Sequence, residues 1–293
     1  MVKILKLRVI RNGMIKIKTK QKTTKVRKPT FAKKSFGQNF LVDQNYIDKI
    51  ISALNPHASE TVVEIGAGRG ALTEKLIEKA GKVFAIELDR DLIPFIEEKF
   101  KDRENFELVE ANALKINYSK FHIPNSKVKL VANLPYYIST AILQKLIEQR
   151  GVFSEMVLMF QREVVQRITA RIGNSERGFL TILTEAYLSA ERLFDVPPNA
   201  FLPTPKVWSS VVRLKPRENQ IANEKLFREV VSAGFMQKRK TIFNNLKNFS
   251  PQLDMKKILE NARIDANRRA ESLTVDEWKC LSDLLATNLH QQI

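Results

Sequence analysis

The sequence predicts an α/β fold, a mostly parallel sheet packed between helices and followed by a small all-helical region. Three observations carry this. From residue 61 to residue 190, short apolar runs alternate with stretches whose apolar residues recur at helical spacing. The first run leads straight into a glycine-rich turn, Gly66-Ala67-Gly68-Arg69-Gly70, and an amphipathic stretch. Beyond Pro216 only helical patterns remain.

A chain of 293 residues has room for a sizeable core and two domains. No apolar run approaches the length of a membrane span, so no membrane association is expected. The single cysteine, Cys280, excludes an internal disulfide and reads as a small buried residue on a late helix. His57, His122 and His290 show no ligand spacing, so no metal is expected. The net charge of +17 is unevenly placed: residues 1–34 hold 13 of the 49 lysines and arginines and no acid, the first being Asp43. This N-terminal stretch reads as a flexible basic arm that contacts a polyanion, most plausibly nucleic acid. It has no apolar segment of secretory length, and it is lysine-rich rather than arginine-rich, with no serine before Ser35, unlike a transit peptide. Met14 is an alternative start, and the cytoplasm is the expected location.

In chain order, Phe36-Gly37-Gln38-Asn39-Phe40-Leu41 forms a turn able to lie over a ligand, before a helical stripe from Gln44 to Leu54. Thr61–Ile65 reads as a buried strand, and a helix is expected from Leu72 to Lys79. The next strand, Lys82 to Ile86, ends in Glu87, about 20 residues past the first glycine, where an acid can accept both ribose hydroxyls. Glycines before a helix let the backbone approach a ligand. Together these features predict a nucleoside-containing cofactor. Phe106 to Val109 is a third strand, ended by Glu110-Ala111-Asn112-Ala113, where a polar group can meet the cofactor's adenine. Val128 to Ala132 is a fourth, and a helix capped by Ser139 or Thr140 follows. Met156 to Phe160 is a fifth strand, with helices expected over Glu163 to Arg171 and Phe179 to Ala190. A proline-rich loop, Pro197 to Pro205, precedes the strand Ser209 to Leu214 and can hold Phe201 over a pocket. Helical patterns then cover Lys225 to Phe235, Thr241 to Asn248, Met255 to Ala262 and Val275 to Leu289.

Asn133-Leu134-Pro135-Tyr136, at the carboxyl end of the fourth strand, is the most unusual stretch. A strand's carboxyl end faces the ligand crevice in such folds. The Asn amide offers an acceptor for an amine hydrogen. Proline stiffens the turn so that neighbouring carbonyls can aim at one point. Tyrosine offers a face for a planar ring. The set suits an exocyclic amine on an aromatic ring, such as adenine N6. The glycine turn by itself matches both the dinucleotide fingerprint and the Glu-x-Gly-x-Gly style of S-adenosylmethionine methyltransferases. In the latter, Glu64 can order the loop near the methionine amine. The Asn133 motif favours S-adenosylmethionine, since a dehydrogenase has no evident use for it.

Several motifs occur in a fixed order: Gly37-Gln38-Asn39-Phe40-Leu41, Glu64-Ile65-Gly66-Ala67-Gly68, Glu87-Leu88-Asp89, Asn133-Leu134-Pro135-Tyr136, Gln161-Arg162-Glu163-Val164-Val165, Phe201 to Val207, and Arg239-Lys240-Thr241. In this the chain resembles the KsgA-type small-subunit ribosomal RNA adenine N6-dimethyltransferases, from about Ala32 to near its end. The resemblance implies a Rossmann-like S-adenosylmethionine-dependent methyltransferase sheet over 35–216 and a small all-helical domain over 217–293. It implies four methyl transfers to two adjacent adenosines near the 3′ end of small-subunit ribosomal RNA during assembly, by a monomer whose partner is that RNA or an assembly particle. It assigns Asn39, Leu41, Gly66, Gly68, Glu87, Asn112 and Asn133 to the cofactor. The chemistry falls to Asn133, Leu134, Pro135, Tyr136 and Phe201. Lys238, Arg239 and Lys240, between two helices, suit RNA phosphates. Two positions depart from the family: Asn112 stands where Asp is usual, and Tyr137 where Asn is common. A large-subunit resistance methyltransferase, a non-catalytic assembly factor and a dehydrogenase are the other readings.

Overall fold

The computed structural model describes residues 37–123, 126–218 and 221–290. The basic arm of 1–34 lies outside the described residues. The chain runs through β1 (Phe40–Leu41), α1 (Gln44–Leu54), β2 (Thr61–Ile65), α2 (Ala71–Ile77), β3 (Lys82–Glu87), α3 (Ile93–Phe100), β4 (Phe106–Glu110), β5 (Val128–Asn133) and α4 (Ser139–Glu148). It continues through β6 (Glu155–Gln161), α5 (Arg162–Ile168), α6 (Phe179–Tyr187), β7 (Leu188–Val196), β8 (Phe201–Leu202) and β9 (Ser209–Pro216). The helices α7 (Glu224–Gly234), α8 (Ile242–Leu246), α9 (Met255–Asn261) and α10 (Val275–His290) complete it.

Seven strands form one sheet in the order β4-β3-β2-β5-β6-β9-β7. The first five in that order are parallel; β9 and β7 add antiparallel to one edge. Burial explains the run-like composition. Every residue of β2 is buried, because helices cover both faces. Alternate side chains go to opposite cores: Val63 and Ile65 join one apolar cluster and Val62 the other, and on β5 Leu130 and Val131 divide the same way. Helices α1 to α3 cover one face; α4 to α6 cover the other. The strand order reverses between β2 and β5, and the crevice outside their carboxyl ends is where open α/β sheets bind ligands.

Four expectations need correction. The helix expected to reach Ala190 ends at Tyr187, and β7 begins at once. An antiparallel ladder with β9, from Leu188↔Pro216 to Val196↔Ser209, outweighs the local helical stripe. As an edge strand, β7 leaves Glu191 and Arg192 in water and carries a register shift between Arg192 and Phe194. Helix α3 has no counterpart among the expected elements. Its buried stripe is only Ile96 and Phe100, and Pro94 stands in its first turn, where a missing N–H costs nothing. Ser139 does not cap α4: it is the first helical residue, fully buried, and its hydroxyl donates back to the Tyr136 carbonyl at 3.0 Å. Cys280 is exposed, because α10 turns Trp278, Leu281 and Leu285 inward and leaves position 280 on the other side.

The C-terminal helices pack on α6 through the same apolar cluster that lines one face of the sheet. Trp278 is fully buried and stacks on Phe235 with ring centroids 5.8 Å apart. Ion pairs span the junction, Arg228 with Glu148 at 3.2 Å and Arg150 with Glu224. No helix among the described residues is long and apolar enough to cross a membrane.

Candidate active site

The carboxyl ends of β2, β3, β4 and β5 open on one cleft, continuous with solvent. The cleft collects residues far apart in sequence: Asn39 before β1, Gly66 and Gly68 after β2, Glu87 closing β3, Asn112 after β4, and Asn133 to Tyr137 after β5. Its apolar walls, which sequence reading missed, include Ile86, Leu92, Ala111, Ala113 and Ile142. Ile86, Ala111 and Ala113 stand at or just beyond strand ends, whereas Leu92 leads into α3 and Ile142 lies within α4.

Glu87 organises the cofactor side. It is 8% exposed, and one carboxylate oxygen accepts the Gly68 N–H at 2.9 Å. The other accepts the N–H groups of Leu88 at 2.8 Å and Asp89 at 2.9 Å. A carboxylate has about four acceptor positions. One therefore remains for a hydroxyl with the glycine turn in place, and accepting two hydroxyls requires the Gly68 bond to open. Gly68 has φ +58, and a Cβ there would lie 3.2 Å from the Phe40 ring, so both backbone and space call for glycine.

Glu64 does not reach this cleft. It is 1% exposed, and its carboxyl accepts the hydroxyl proton of Thr73, on α2, at 2.6 Å. Burial pushes its pKa up to about 8, against the opposing effect of the Thr73 bond. It orders the loop by tying β2 to α2, and near neutral pH it does so largely as the uncharged acid. From the unfolded value of 4.5 to about 8 the folded chain holds a proton that the unfolded chain has lost. This contribution to stability is therefore present at low pH and fades as pH rises through that window. Glu64→Gln keeps an acceptor for Thr73 without the titration. Its melting temperature should gain on the wild type between about pH 5 and about pH 8 in calorimetry. A constant difference would mean that Glu64 does not titrate there.

Two side-chain amides have orientations set by their partners. Asn133 donates from Nδ2 to the Asn39 carbonyl at 3.1 Å, which leaves Oδ1 as its free acceptor. Asn112 accepts the Leu114 N–H at 2.9 Å through Oδ1, which leaves Nδ2 as its free group. The Pro135 carbonyl accepts from the Ile138 N–H at 3.2 Å, so with the Ser139 bond to Tyr136 the first turn of α4 engages two carbonyls of the motif. The Tyr136 hydroxyl meets Ser209 Oγ at 2.8 Å, and burial pushes that phenol up, so it stays protonated. Tyr137 is 59% exposed at the rim, its ring close to Gly37. Gln38 reaches Asp89 at 2.7 Å and ties the turn before β1 to the loop after β3.

Two expected site residues are not brought into the cleft. Phe201 is 2% exposed and belongs to the core; it is not held over the pocket. The pairs Leu41↔Phe201 and Phe40↔Leu202 join β1 to β8, and alternation then sends Phe201 inward and Leu202 out. Leu41 is likewise buried, beside a second hollow behind the glycine turn, where Arg69 lies over the Phe40 ring at 4.4 Å. Only the Leu41 backbone remains as a candidate ligand. Lys238, Arg239 and Lys240 are exposed between α7 and α8, a turn braced by the Asn245 amide against the Gly234 carbonyl at 2.6 Å.

Comparison with known proteins agrees with this geometry. Residues 30–287 match the ribosomal RNA adenine dimethylase family. Ribosomal RNA small subunit methyltransferase A of Clostridium botulinum is 40% identical over 257 residues, 86% of this chain and 93% of the relative. The Hahella chejuensis protein of that name is 42% identical over 255 residues, 86% of this chain and 92% of the relative. Among solved structures, a dimethyladenosine transferase from Plasmodium falciparum superposes with a TM-score of 0.72 at 29% identity, over 86% of this chain and 98% of that one. The 23S ribosomal RNA methyltransferase ErmE gives 0.64 at 25% identity, over 85% of this chain and all of that one (100%).

Proposed function

The chain belongs to the ribosomal RNA adenine dimethylase family, and from that membership we propose that it methylates the N6 amines of two adjacent adenosines near the 3′ end of small-subunit (16S) ribosomal RNA, giving N6,N6-dimethyladenosines during subunit biogenesis. The single observation that carries the chemistry is the Asn133 amide. Its Nδ2 is held by the Asn39 carbonyl, so Oδ1 is the atom presented to an amine. The small-subunit assignment rests on the relatives whose names specify that subunit.

The cleft fits S-adenosylmethionine, which when bound supplies a methyl group already activated by its sulfonium charge. The Glu87 carboxylate keeps an acceptor for ribose, Gly66 leaves room for close backbone approach, and Asn39 and the Leu41 backbone stand at the turn beside Asn133. The residues' own work is positioning. An adenine N6 lone pair is delocalised into the ring. Asn133 Oδ1 accepts one amine hydrogen, with the Leu134 and Pro135 carbonyls beside it, and so favours a tetrahedral nitrogen with its lone pair aimed at the methyl. Tyr136, fixed by Ser209, stacks on the base; such a contact contributes about 1–3 kcal/mol, against a few kcal/mol for removing the base from its stack. Among the described residues lining the cleft, Glu87 is the one carboxylate. It stands two strands from Asn133, about 10 Å away. Among the described residues no carboxylate therefore stands beside Asn133, and the amine proton leaves to solvent after transfer. Most of the acceleration comes from alignment.

Asn112 gives a test of the cofactor's pose. With one lone pair of Oδ1 engaged by Leu114, a single acceptor position remains on Asn112, and its Nδ2 adds a donor beside the cofactor's adenine amine, itself a donor. Asn112→Asp replaces it with an acceptor and should tighten S-adenosylmethionine binding about tenfold in calorimetry. Equal or weaker binding would place that amine elsewhere.

Residues 35–216 form the transferase part of this reading. Residues 217–293 form an RNA-contacting part through Lys238, Arg239 and Lys240, in a monomer acting in the cytoplasm. The experiment for the substrate is transfer of label from S-adenosylmethionine to small subunits lacking adenine dimethylation, with large-subunit RNA in parallel. Label confined to small-subunit RNA supports the proposal. Label confined to large-subunit RNA would move the chain to the resistance-type enzymes.

A further inference from the structure

Trp208 is 43% exposed, whereas the chain's other tryptophan, Trp278, is fully buried. Leu202 and Val207 lie exposed close to it in sequence, at 55% and 41%. The position of Trp208 is set by the sheet. Asn133 pairs with Met159, and Gln161 pairs with Ser209. Met159 in turn pairs with Val211, so Trp208 stands just before β9, two strands over from Asn133 and three residues further along the strand direction, about 14 Å away. The Tyr136 hydroxyl bonds to Ser209, the residue next to Trp208. The Arg162 guanidinium lies 5.8 Å from the Trp208 ring centroid, and the Arg162 N–H donates to the Trp208 carbonyl at 2.9 Å. Lys206 is exposed two residues away. Two acids lie close by: Glu163, exposed and next to Arg162 in the chain, and Asp195, which is engaged by Arg192 at 2.6 Å and by Ser210.

An aromatic face beside exposed cations is how proteins hold single-stranded bases with their phosphates. Resting on the adenosine dimethylase reading, we propose that Trp208, with Arg162, is the platform on which the nucleobase next to the target adenine stacks while that adenine occupies the Asn133 cleft. Two adjacent adenosines are modified in turn. At each transfer one base is in the cleft, and its neighbour, unstacked by the same flip, needs a surface of its own on the rim beside the cleft. Trp208 is then a positioning residue for RNA and plays no part in holding the cofactor.

The test uses the full chain and its Trp208→Ala and Trp208→Phe variants. Because Trp278 is buried, the solvent-facing tryptophan emission belongs to Trp208. A short single-stranded RNA with two adjacent adenosines should quench it saturably, and Trp208→Phe should abolish the quenching. On small subunits lacking dimethylation, Trp208→Ala should lower kcat/KM about tenfold and raise the share of RNA modified at only one adenosine. Affinity for S-adenosylmethionine should be unchanged, and Trp208→Phe should restore most of the transfer. Wild-type transfer by Trp208→Ala, or an unquenched wild-type emission, would overturn the platform. A loss shared with cofactor affinity would overturn it too, by showing a structural role. If the wild type transfers no methyl to any RNA, the enzymatic reading fails, and the fluorescence still decides whether Trp208 stacks a base.

Discussion

Asn133→Ala is expected to slow methyl transfer at saturating cofactor by about 100-fold or more, with S-adenosylmethionine affinity changed far less. Alanine removes the acceptor offered to the amine, the Oδ1 left over when Nδ2 bonds to Asn39. Such an acceptor acts mainly as the amine nitrogen becomes tetrahedral, so the loss belongs to kcat rather than to binding. Asn133→Asp keeps an acceptor but sets a carboxylate oxygen against the Asn39 carbonyl, and should fall between alanine and wild type. Single-turnover transfer with pre-bound cofactor, beside equilibrium binding, separates the terms. A loss confined to cofactor affinity would assign Asn133 to the cofactor and leave the amine without its acceptor.

Glu87→Ala should weaken S-adenosylmethionine about 100-fold and also lower stability. Three backbone N–H groups, of Gly68, Leu88 and Asp89, converge on this carboxylate. Alanine leaves them without an acceptor at a position only 8% exposed. The remaining acceptor position is the one offered to ribose, so removing it loses a charge-assisted bond as well as the shape of the turn. Glu87→Gln separates the two effects. It keeps the side chain's size but turns one acceptor into a donor facing those N–H groups. Titration calorimetry and thermal unfolding read both changes. Unchanged affinity in Glu87→Ala would show that the ribose is held elsewhere.

Much of the site was readable from sequence because its parts stand at strand ends. Parallel strands buried on both faces appear as continuous apolar runs, and the polar residue ending each run faces the cleft. That logic located Glu87, Asn112 and Asn133 and the glycines after β2. It failed where a long-range pairing decides the outcome. The ladder between β7 and β9 overrode a helical stripe past Tyr187. The two-residue pairing of β1 with β8 turned Phe201 into the core and Leu202 outward, which proline spacing alone does not show. Hydrogen-bond direction was equally hidden. The residue types of Asn112, Glu64 and Ser139 were visible, but not that Leu114, Thr73 and Tyr136 would be their partners. Trp208 lay in plain view beside the proline-rich loop, and only the register of β6 with β9 brought it near the target pocket.

The most direct measurement of the central claim is the identity of the modified nucleosides after the wild-type chain has acted on small subunits lacking dimethylation. The RNA would be digested and its nucleosides separated, and the labelled fragment sequenced. The account predicts N6,N6-dimethyladenosine at two adjacent positions near the 3′ end of the small-subunit RNA. Label on another base, on another atom of adenine, or at a single isolated adenosine would contradict it.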